Sequence, residues 1–272
     1  MRASLFDNRI SNDHLLCMLA EERRLRIREI LSQQRTVTAA ELTQSLGVTS
    51  ATIRRDLAAL ENEGVLVRSH GGAVSHTTST NFQASYDALA QTNLSQKQAI
   101  AREAERLILD GDTVFLEGST TVHELAKLLL RRTRLTIITN SPATLSQLQY
   151  SPGVTVLCVG GNLIKENCYL SGMWAHRILQ EIRVDKVILG MSALDPSYGI
   201  STANHPEAEI KTLLMKISKT RIALADSSKL GKQRFAHVGP VSDLTMLITD
   251  SGADPQLIEE IRQAGVEVKI AQ

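Results

Sequence analysis

The chain has 272 residues, enough for about two domains of ordinary size. Hydrophobic residues make up 43% and charged residues 22%, with 6 Pro and 16 Gly, so a disordered, collagen-like or coiled-coil chain is excluded. The 30 Lys and Arg against 29 Asp and Glu leave a net charge of +1, so any attraction to nucleic acid must come from a local patch. Aromatic residues, at 3%, are too few for a protein that stacks unpaired bases.

No stretch of the chain has the pattern of a membrane span or a secretion signal. The apolar runs are far shorter than the roughly 18 residues that cross a bilayer, and the apolar patch at residues 14–20 lacks the flanking pattern of a signal peptide. We therefore expect a cytoplasmic protein with no membrane partner. The cysteines (Cys17, Cys158, Cys168) and seven scattered histidines lack metal-ligand or disulfide spacing, so we expect neither a metal site nor a cofactor.

Two architectures follow one another along the chain. Residues 21–66 show helical periodicity, whereas from Asp112 onward short β-branched runs alternate with helical patterns, as in an α/β fold with a parallel sheet. Between them, residues 75–86 are rich in Ser and Thr and contain no Asp, Glu, Lys or Arg, which is typical of an interdomain connection. We predict an N-terminal arm at residues 1–20, a helical unit at 21–76, a linker at 77–94 and an α/β unit at 95–272.

The helical unit is predicted to contain three helices. The first spans about residues 21–33, and its apolar face is formed by Leu25, Ile27, Ile30 and Leu31. After a break at Thr36, a capping box of Thr38 and Glu41 opens a short second helix, which Gly47 ends. Thr49 and Ser50 cap the third helix, in which Ile53, Leu57 and Leu60 recur at helical spacing and face the core.

This order is the layout of a helix-turn-helix, whose second helix inserts its N-terminal end into the major groove of DNA. A strand and a glycine turn follow Gly64, so the motif is predicted to be winged. The candidate DNA contacts lie at the start of the third helix and on the wing: Thr49, Ser50, Ala51, Thr52, Arg54, Arg55, Arg68 and His70.

A helical packing module without DNA binding is the alternative for this unit. Charge does not decide between them, because residues 21–76 hold eight Arg and seven acidic residues. The acidic side chains must lie off the DNA face if the first interpretation is right. The adjacent Arg54 and Arg55 beside Thr52 are the specific part of the pattern.

In the α/β unit, a predicted strand at Thr113–Leu116 runs into a Gly, Ser and Thr loop and then into a helix. Free backbone amides, hydroxyl groups and the helix dipole converge at such a helix start, so it can hold an anion such as a phosphate. The candidate residues are Glu117, Gly118, Ser119, Thr120 and Thr121. The alternative is that Ser119 and Thr120 only cap the helix.

Other predicted strands end at polar residues or glycines. The carboxyl ends of parallel strands meet at one edge of a sheet, where ligands of open α/β folds bind. Glu207 and Lys211, four residues apart on a predicted helix, form either part of this site or a plain surface ion pair. The further candidates at this edge are Asn140, Gly160, Gly161 and Lys229.

Residues 52–64 (TIRRDLAALENEG) and 68–73 (RSHGGA) closely resemble the signature of the DeoR family of bacterial transcription regulators. The resemblance continues through FLEGSTT at 115–121, TNS at 139–141, GG at 160–161, EAEIK at 207–211 and DSSKLG at 226–231. It covers the chain from about residue 21 to the end. Two positions depart from the family pattern: Glu117, where Asp is more frequent, and Ala193, where Gly is frequent.

The resemblance implies a winged helix-turn-helix joined to a sensing domain similar to sugar-phosphate isomerases. It further implies a repressor of a carbohydrate-metabolism operon that binds an operator in double-stranded DNA and is released by a phosphorylated sugar. Residues 118–121 would hold the phosphate, with Asn140, Glu207, Lys211 and Lys229 lining the pocket. Paired DNA-binding units would require a homo-oligomer.

A sugar-phosphate isomerase is the alternative from another class, with Glu117 or Glu207 as general base and Lys229 as electrostatic stabiliser. Fold alone does not separate an enzyme from a sensor. Because an isomerase does not need a helix that enters the groove of DNA, we expect a regulator rather than an enzyme.

Overall fold

The computed structural model describes residues 19–33, 36–62, 65–69, 71–75 and 86–272. The chain divides into two compact units, residues 1–82 and 83–272. Residues 1–18 of the predicted arm, residues 77–85 of the predicted linker, and His70 lie outside the described residues. The rest of that linker differs from expectation, because a helix at Tyr86–Gln91 begins there and belongs to the second unit.

The first unit contains three helices and a small antiparallel sheet: α1 (Ala20–Gln33), β1 (Thr36–Thr38), α2 (Ala39–Leu46), α3 (Ser50–Asn62), β2 (Leu66–Ser69) and β3 (Gly72–Ser75). The sheet order is β1-β3-β2. The predicted wing is therefore present as the β2–β3 hairpin. The sequence pattern indicated only a break at Thr36, whereas Thr36–Thr38 pairs with Gly72–Val74 of β3 and forms a third strand.

The local signals of this unit are confirmed. The Thr38 hydroxyl accepts from the Glu41 amide at 3.2 Å, and the Glu41 carboxylate accepts from the Thr38 amide at 2.7 Å. Gly47 ends α2 with φ 63°, a left-handed conformation that glycine adopts without strain. Ile53, Leu57 and Leu60 are buried in the core of the unit together with Ile27 and Leu31 of α1. Leu25, which was also expected on the apolar face of α1, is 40% exposed.

The second unit alternates strands and helices. It begins with α4 (Tyr86–Gln91), α5 (Leu94–Glu105), β4 (Thr113–Leu116), α6 (Thr120–Leu128), β5 (Leu135–Thr139), α7 (Pro142–Leu148), β6 (Val154–Cys158), β7 (Asn162–Ile164), β8 (Tyr169–Ser171) and α8 (Met173–Glu181). It continues with β9 (Val184–Gly190), β10 (Ala193–Asp195), β11 (Gly199–Thr202), α9 (His205–Lys216), β12 (Ser218–Leu224), β13 (Ala236–Gly239), β14 (Met246–Asp250), α10 (Pro255–Gln263) and β15 (Glu267–Ala271).

Seven strands form a parallel sheet in the order β15-β14-β12-β9-β4-β5-β6. Side chains alternate between its two apolar faces, so that Val114 and Leu116 lie in one core and Phe115 in the other. This is the open α/β architecture that the alternating pattern predicts. Among the described helices, none is long and apolar enough to cross a membrane.

The strand order reverses next to β4. From β4 the chain builds β5 and β6 toward one edge of the sheet, and it then returns to place β9 on the other side of β4. The loops that leave the carboxyl ends of β4 and β9 therefore diverge, which opens a crevice at this point of the sheet. At this point of the sheet, residues 117–121 lie next to Gly190 at the end of β9.

Candidate functional site

The start of α3 presents a polar surface. Ile53 and Leu57 turn inward, and the residues turned outward are Thr49, Ser50, Ala51, Arg54 and Arg55. Thr52 is half-buried, and its amide donates to the Thr49 hydroxyl at 3.3 Å, so Thr49 caps the helix as expected. The helix start is thus capped and exposed, as a recognition helix requires.

A buried ion pair holds α3 against α1. The Arg23 guanidinium donates to both carboxylate oxygens of Asp56, at 2.7 and 3.2 Å, and the two side chains are only 12% and 7% exposed. Sequence spacing did not indicate this pair. It neutralises the acidic residue next to Arg55. Within the described part of the chain, the guanidinium groups of Arg54 and Arg55 make no ion pair.

The wing carries one described candidate. The Arg68 amide donates to the Glu61 carboxylate at 3.0 Å, and the Arg68 guanidinium lies 3.9 Å from the same carboxylate. Both side chains are exposed, at 45% and 40%. An exposed pair of this kind contributes little free energy, so Arg68 can exchange Glu61 for a phosphate.

The loop after β4 is held from several sides. The Gly118 amide donates to Asn140 Oδ1 at 2.9 Å, and the Ser119 hydroxyl caps α6 by accepting from the Val122 amide at 3.3 Å. A Cβ on Gly118 would lie 2.7 Å from Cβ of Tyr169, so no larger residue fits there. Ser119 therefore caps α6. The Thr120 and Thr121 amides open α6, where backbone amides have no acceptor within the helix.

Asn140 fastens this loop to the β7–β8 hairpin, because its Nδ2 donates to the Leu170 carbonyl at 3.2 Å. It is fully buried. Gly161, at φ 141°, lies so close to the hairpin that a Cβ would be 2.4 Å from the Ser171 carbonyl oxygen, whereas Gly160 faces open space. Asn140 and Gly161 thus shape the edge of the crevice, and Gly160 leaves room there.

Lys211 lies at the centre of a buried charge network. Its ammonium donates to Glu117 Oε1 and to the Gly190 carbonyl, both at 2.7 Å, and lies 3.5 Å from Glu207 Oε1. All three side chains are buried, so the expectation of a surface ion pair between Glu207 and Lys211 is wrong: the two residues do pair, but in the interior. Burial alone would lower the pKa of Lys211, but the two carboxylates outweigh burial and raise it, so the lysine stays charged.

The second oxygen of Glu117 accepts from the Gly190 amide at 3.0 Å. The network therefore connects the carboxyl ends of β4 and β9 through α9. Its groups already satisfy one another, which indicates that they fix the shape of the crevice. Ala193, the other departure from the family pattern, is buried in β10.

Lys229 follows β12 at the same edge of the sheet. It is half-buried, and within the described residues its ammonium makes no hydrogen bond or ion pair. Burial lowers its pKa, opposed by the charge of Asp226 and assisted by Lys232 and Arg234. Lys229 thus lies near one carboxylate, that of Asp226, and near two further cations, Lys232 and Arg234.

A second lysine, which the sequence did not indicate as a site residue, lies beside this group. Lys97 of α5 is buried, and its ammonium donates to the Leu89 carbonyl of α4. Burial lowers the pKa of Lys97 to about 8, with Asp226 opposing the shift and Lys229 adding to it. Asn93, at the start of α5, donates to Asp226 Oδ1 at 2.9 Å and so ties the two segments together. The described residues contain no cluster of His, Cys, Asp or Glu that could hold a metal ion.

An exposed helix-turn-helix with a wing, joined to an open α/β unit with a polar crevice, defines a DNA-binding regulator with a sensing domain. Two family models match the chain: the DeoR-like helix-turn-helix domain over residues 23–79 and the DeoR C terminal sensor domain over residues 92–251. The chain belongs to the DeoR family of transcriptional regulators.

Relatives of similar length support this assignment. The chain is 36% identical to the HTH-type transcriptional regulator YulB of Bacillus subtilis (92% of this chain, 96% of the relative). It is 33% identical to the transcriptional repressor GlcR of B. subtilis (94% and 98%) and 31% identical to the lactose phosphotransferase system repressor of Staphylococcus aureus (90% and 97%). These relatives are regulators, which supports a regulator and not the isomerase alternative.

Solved structures show weaker similarity. The full-length sorbitol operon regulator SorC of Klebsiella pneumoniae aligns over 92% of this chain and 99% of its own, with a TM-score of 0.42 and 12% identity. Ribose 5-phosphate isomerase A of Methanocaldococcus jannaschii aligns over 51% and 55%, with a TM-score of 0.39 and 17% identity.

Proposed function

We propose that this regulator represses an operon of carbohydrate metabolism by binding operator DNA with the start of α3. The exposed Arg54 and Arg55, without an ion pair in the described part of the chain, carry this proposal. Arginine is the side chain best suited to phosphates and to guanine edges in the major groove. The proposed contacts also include Thr49, Ser50, Ala51, Thr52 and, on the wing, Arg68 and His70.

The proposed effector is a phosphorylated sugar at the carboxyl edge of the large sheet. One strand, β9, separates β4 from β12, so the carboxyl ends of β4 and β12, which lead to residues 118–121 and toward Lys229, lie about 10 Å apart. This separation suits a small molecule with an anionic end and a polar body. The first-turn amides of α6 would bind the phosphate, and Lys229 supplies positive charge at the other side of the crevice.

The remaining proposed site residues shape this pocket. Glu117, Glu207 and Lys211 hold the strand ends, while Asn140, Gly160 and Gly161 form the opposite rim. A relative of this chain is named as a repressor of the lactose phosphotransferase system, which supports an effector from sugar metabolism here.

The protein would act as a homo-oligomer, because two helix-turn-helix units are needed to bind the two halves of a symmetric operator. The effector would favour a conformation in which the half-site geometry is wrong. A difference of about 1 to 3 kcal/mol in effector affinity between the two states changes operator occupancy about 5- to 150-fold.

Fluorescence anisotropy tests this function. The full-length protein is titrated against labelled DNA from upstream of its own gene at fixed salt, alone and with glucose 6-phosphate, fructose 6-phosphate, fructose 1-phosphate, galactose 6-phosphate, tagatose 6-phosphate or ribose 5-phosphate. We expect tight binding that one of these compounds releases. Tight binding that none of them changes would contradict the proposed effector class, and no sequence-specific binding would contradict the proposed DNA contacts.

A further inference from the structure

Seven buried polar atoms in the described part of the sensing unit have no hydrogen-bond partner, and two of them lie on adjoining elements: the hydroxyl of Tyr86 in α4 and Oδ1 of Asn167 between β7 and β8. Such atoms are rare in folded proteins, because a buried donor or acceptor without a partner loses its hydration without compensation. A group bound between these two adjoining elements would give both atoms a partner.

Both atoms are connected to the effector crevice. The Tyr86 amide donates to the Glu166 carbonyl at 3.0 Å, which places the start of α4 against the segment that carries Asn167. The Asn167 side chain in turn donates through Nδ2 to Glu207 Oε2 at 3.2 Å. Glu207 belongs to the buried network of Lys211 and Glu117 that shapes the crevice.

The surroundings of the two atoms show which of them donates a hydrogen bond and which accepts one. Burial raises the pKa of Tyr86, and the neighbouring Cys168, Glu124, Asp87 and Glu117 add to the shift, so the phenol keeps its proton and donates. A carboxylate has no proton to donate, so the side-chain nitrogen of Asn167, and not its oxygen, must face Glu207. Its free Oδ1 is therefore an acceptor.

The hydroxyl groups of a ligand suit a neutral donor and a neutral acceptor on adjoining elements, because a hydroxyl group can both accept and donate a hydrogen bond. A phosphate dianion has no proton for Asn167. We propose that Tyr86 and Asn167 bind hydroxyl groups of the effector and so determine which phosphorylated sugar the pocket accepts. This inference rests on the effector site proposed above and assigns its specificity.

Tyr86 is the first residue of α4, and the chain reaches it directly from the segment that joins the two units. A hydroxyl group bound to Tyr86 therefore holds the beginning of the sensing unit.

Isothermal titration calorimetry on the full-length protein tests the proposal with two probes: the tightest binder among the six sugar phosphates named above, and inorganic phosphate. The variants are Tyr86→Phe, Asn167→Ala and, as a matched control, Tyr150→Phe, which removes the hydroxyl of a tyrosine that is 85% exposed. We expect Tyr86→Phe and Asn167→Ala to weaken sugar-phosphate binding about tenfold. Binding of inorganic phosphate should stay unchanged, and Tyr150→Phe should change neither affinity.

Thermal unfolding without ligand separates binding from a structural role. Because Tyr86→Phe removes a buried hydroxyl without a partner, the variant should unfold at the same temperature as the wild type or higher. A lower unfolding temperature, or sugar-phosphate and phosphate affinities that are both unchanged or reduced by the same factor, would overturn the proposal. A wild-type protein that binds none of the six sugar phosphates would overturn the effector site itself, and this inference with it.

Discussion

Replacing Lys211 with methionine tests whether the buried network holds the sensing unit together. The lysine is 2% exposed and is the cation between Glu117 and Glu207. Its removal leaves two buried carboxylates without a counter-charge, and breaking a buried pair in this way costs about 3–5 kcal/mol. At about 2–4 °C per kcal/mol for a unit of this size, the unfolding transition of the sensing unit should fall by about 6–20 °C.

The loss should depend on pH in a defined direction. Burial raises the pKa of Glu117 above its ordinary value and Lys211 opposes this shift, so removing Lys211 raises the pKa of Glu117 further. A carboxyl group with a raised pKa stabilises the folded state at low pH and loses that contribution as the pH rises. The deficit of Lys211→Met relative to wild type should therefore be smaller at pH 5 than at pH 7.5.

Differential scanning calorimetry at the two pH values measures both effects. Lys216→Met is the matched control, because Lys216 belongs to the same helix but is exposed. It should unfold with the wild type. If Lys211→Met also unfolded within about 2 °C of wild type at pH 7.5, the network would not stabilise the fold, and the reasoning from buried charge would be refuted.

Four further predictions concern the two sites and the first unit. Arg54→Ala and Arg55→Ala should each weaken operator binding by about 1–3 kcal/mol in anisotropy titrations while leaving the effector-induced thermal shift intact; unchanged operator affinity would remove these residues from the interface. Lys229→Ala should bind operator normally but fail to be released by the effector, and release at wild-type concentrations would show that the pocket lies elsewhere. Because the pKa of Lys229 is lowered and that of Lys97 is about 8, effector affinity measured by calorimetry should fall from pH 7 to pH 9, as lysines are charged only below their pKa. Thr38→Ala removes the cap of α2 and should reduce the urea stability of the first unit by about 1 kcal/mol, with no change expected in the second.

The elements of the fold followed from local patterns. Thr38, Glu41 and Gly47 lie within one helix and its flanks, so their caps depend on residues a few positions apart. Ile53 and Leu57 recur at helical spacing, which is enough to predict the buried face of α3. The alternation of strands and helices likewise predicts the parallel sheet and the edge at which its loops meet.

Spacing along the chain predicts which residues share a face, but it does not predict what covers that face. Glu207 and Lys211 are one helical turn apart, and only Glu117, 94 residues away from Lys211, turns this pair into a buried network. The same holds for Arg23 and Asp56, which are 33 residues apart.

The strand β1 likewise depends on a distant segment, because its three residues form a strand only where β3 supplies the hydrogen-bonding partner. Local patterns along the chain were enough to predict the two units, most of their helices and strands, and the edge of the sheet at which the loops meet. Which charged groups pair with one another became visible in the folded structure alone, because pairing depends on contacts between distant segments.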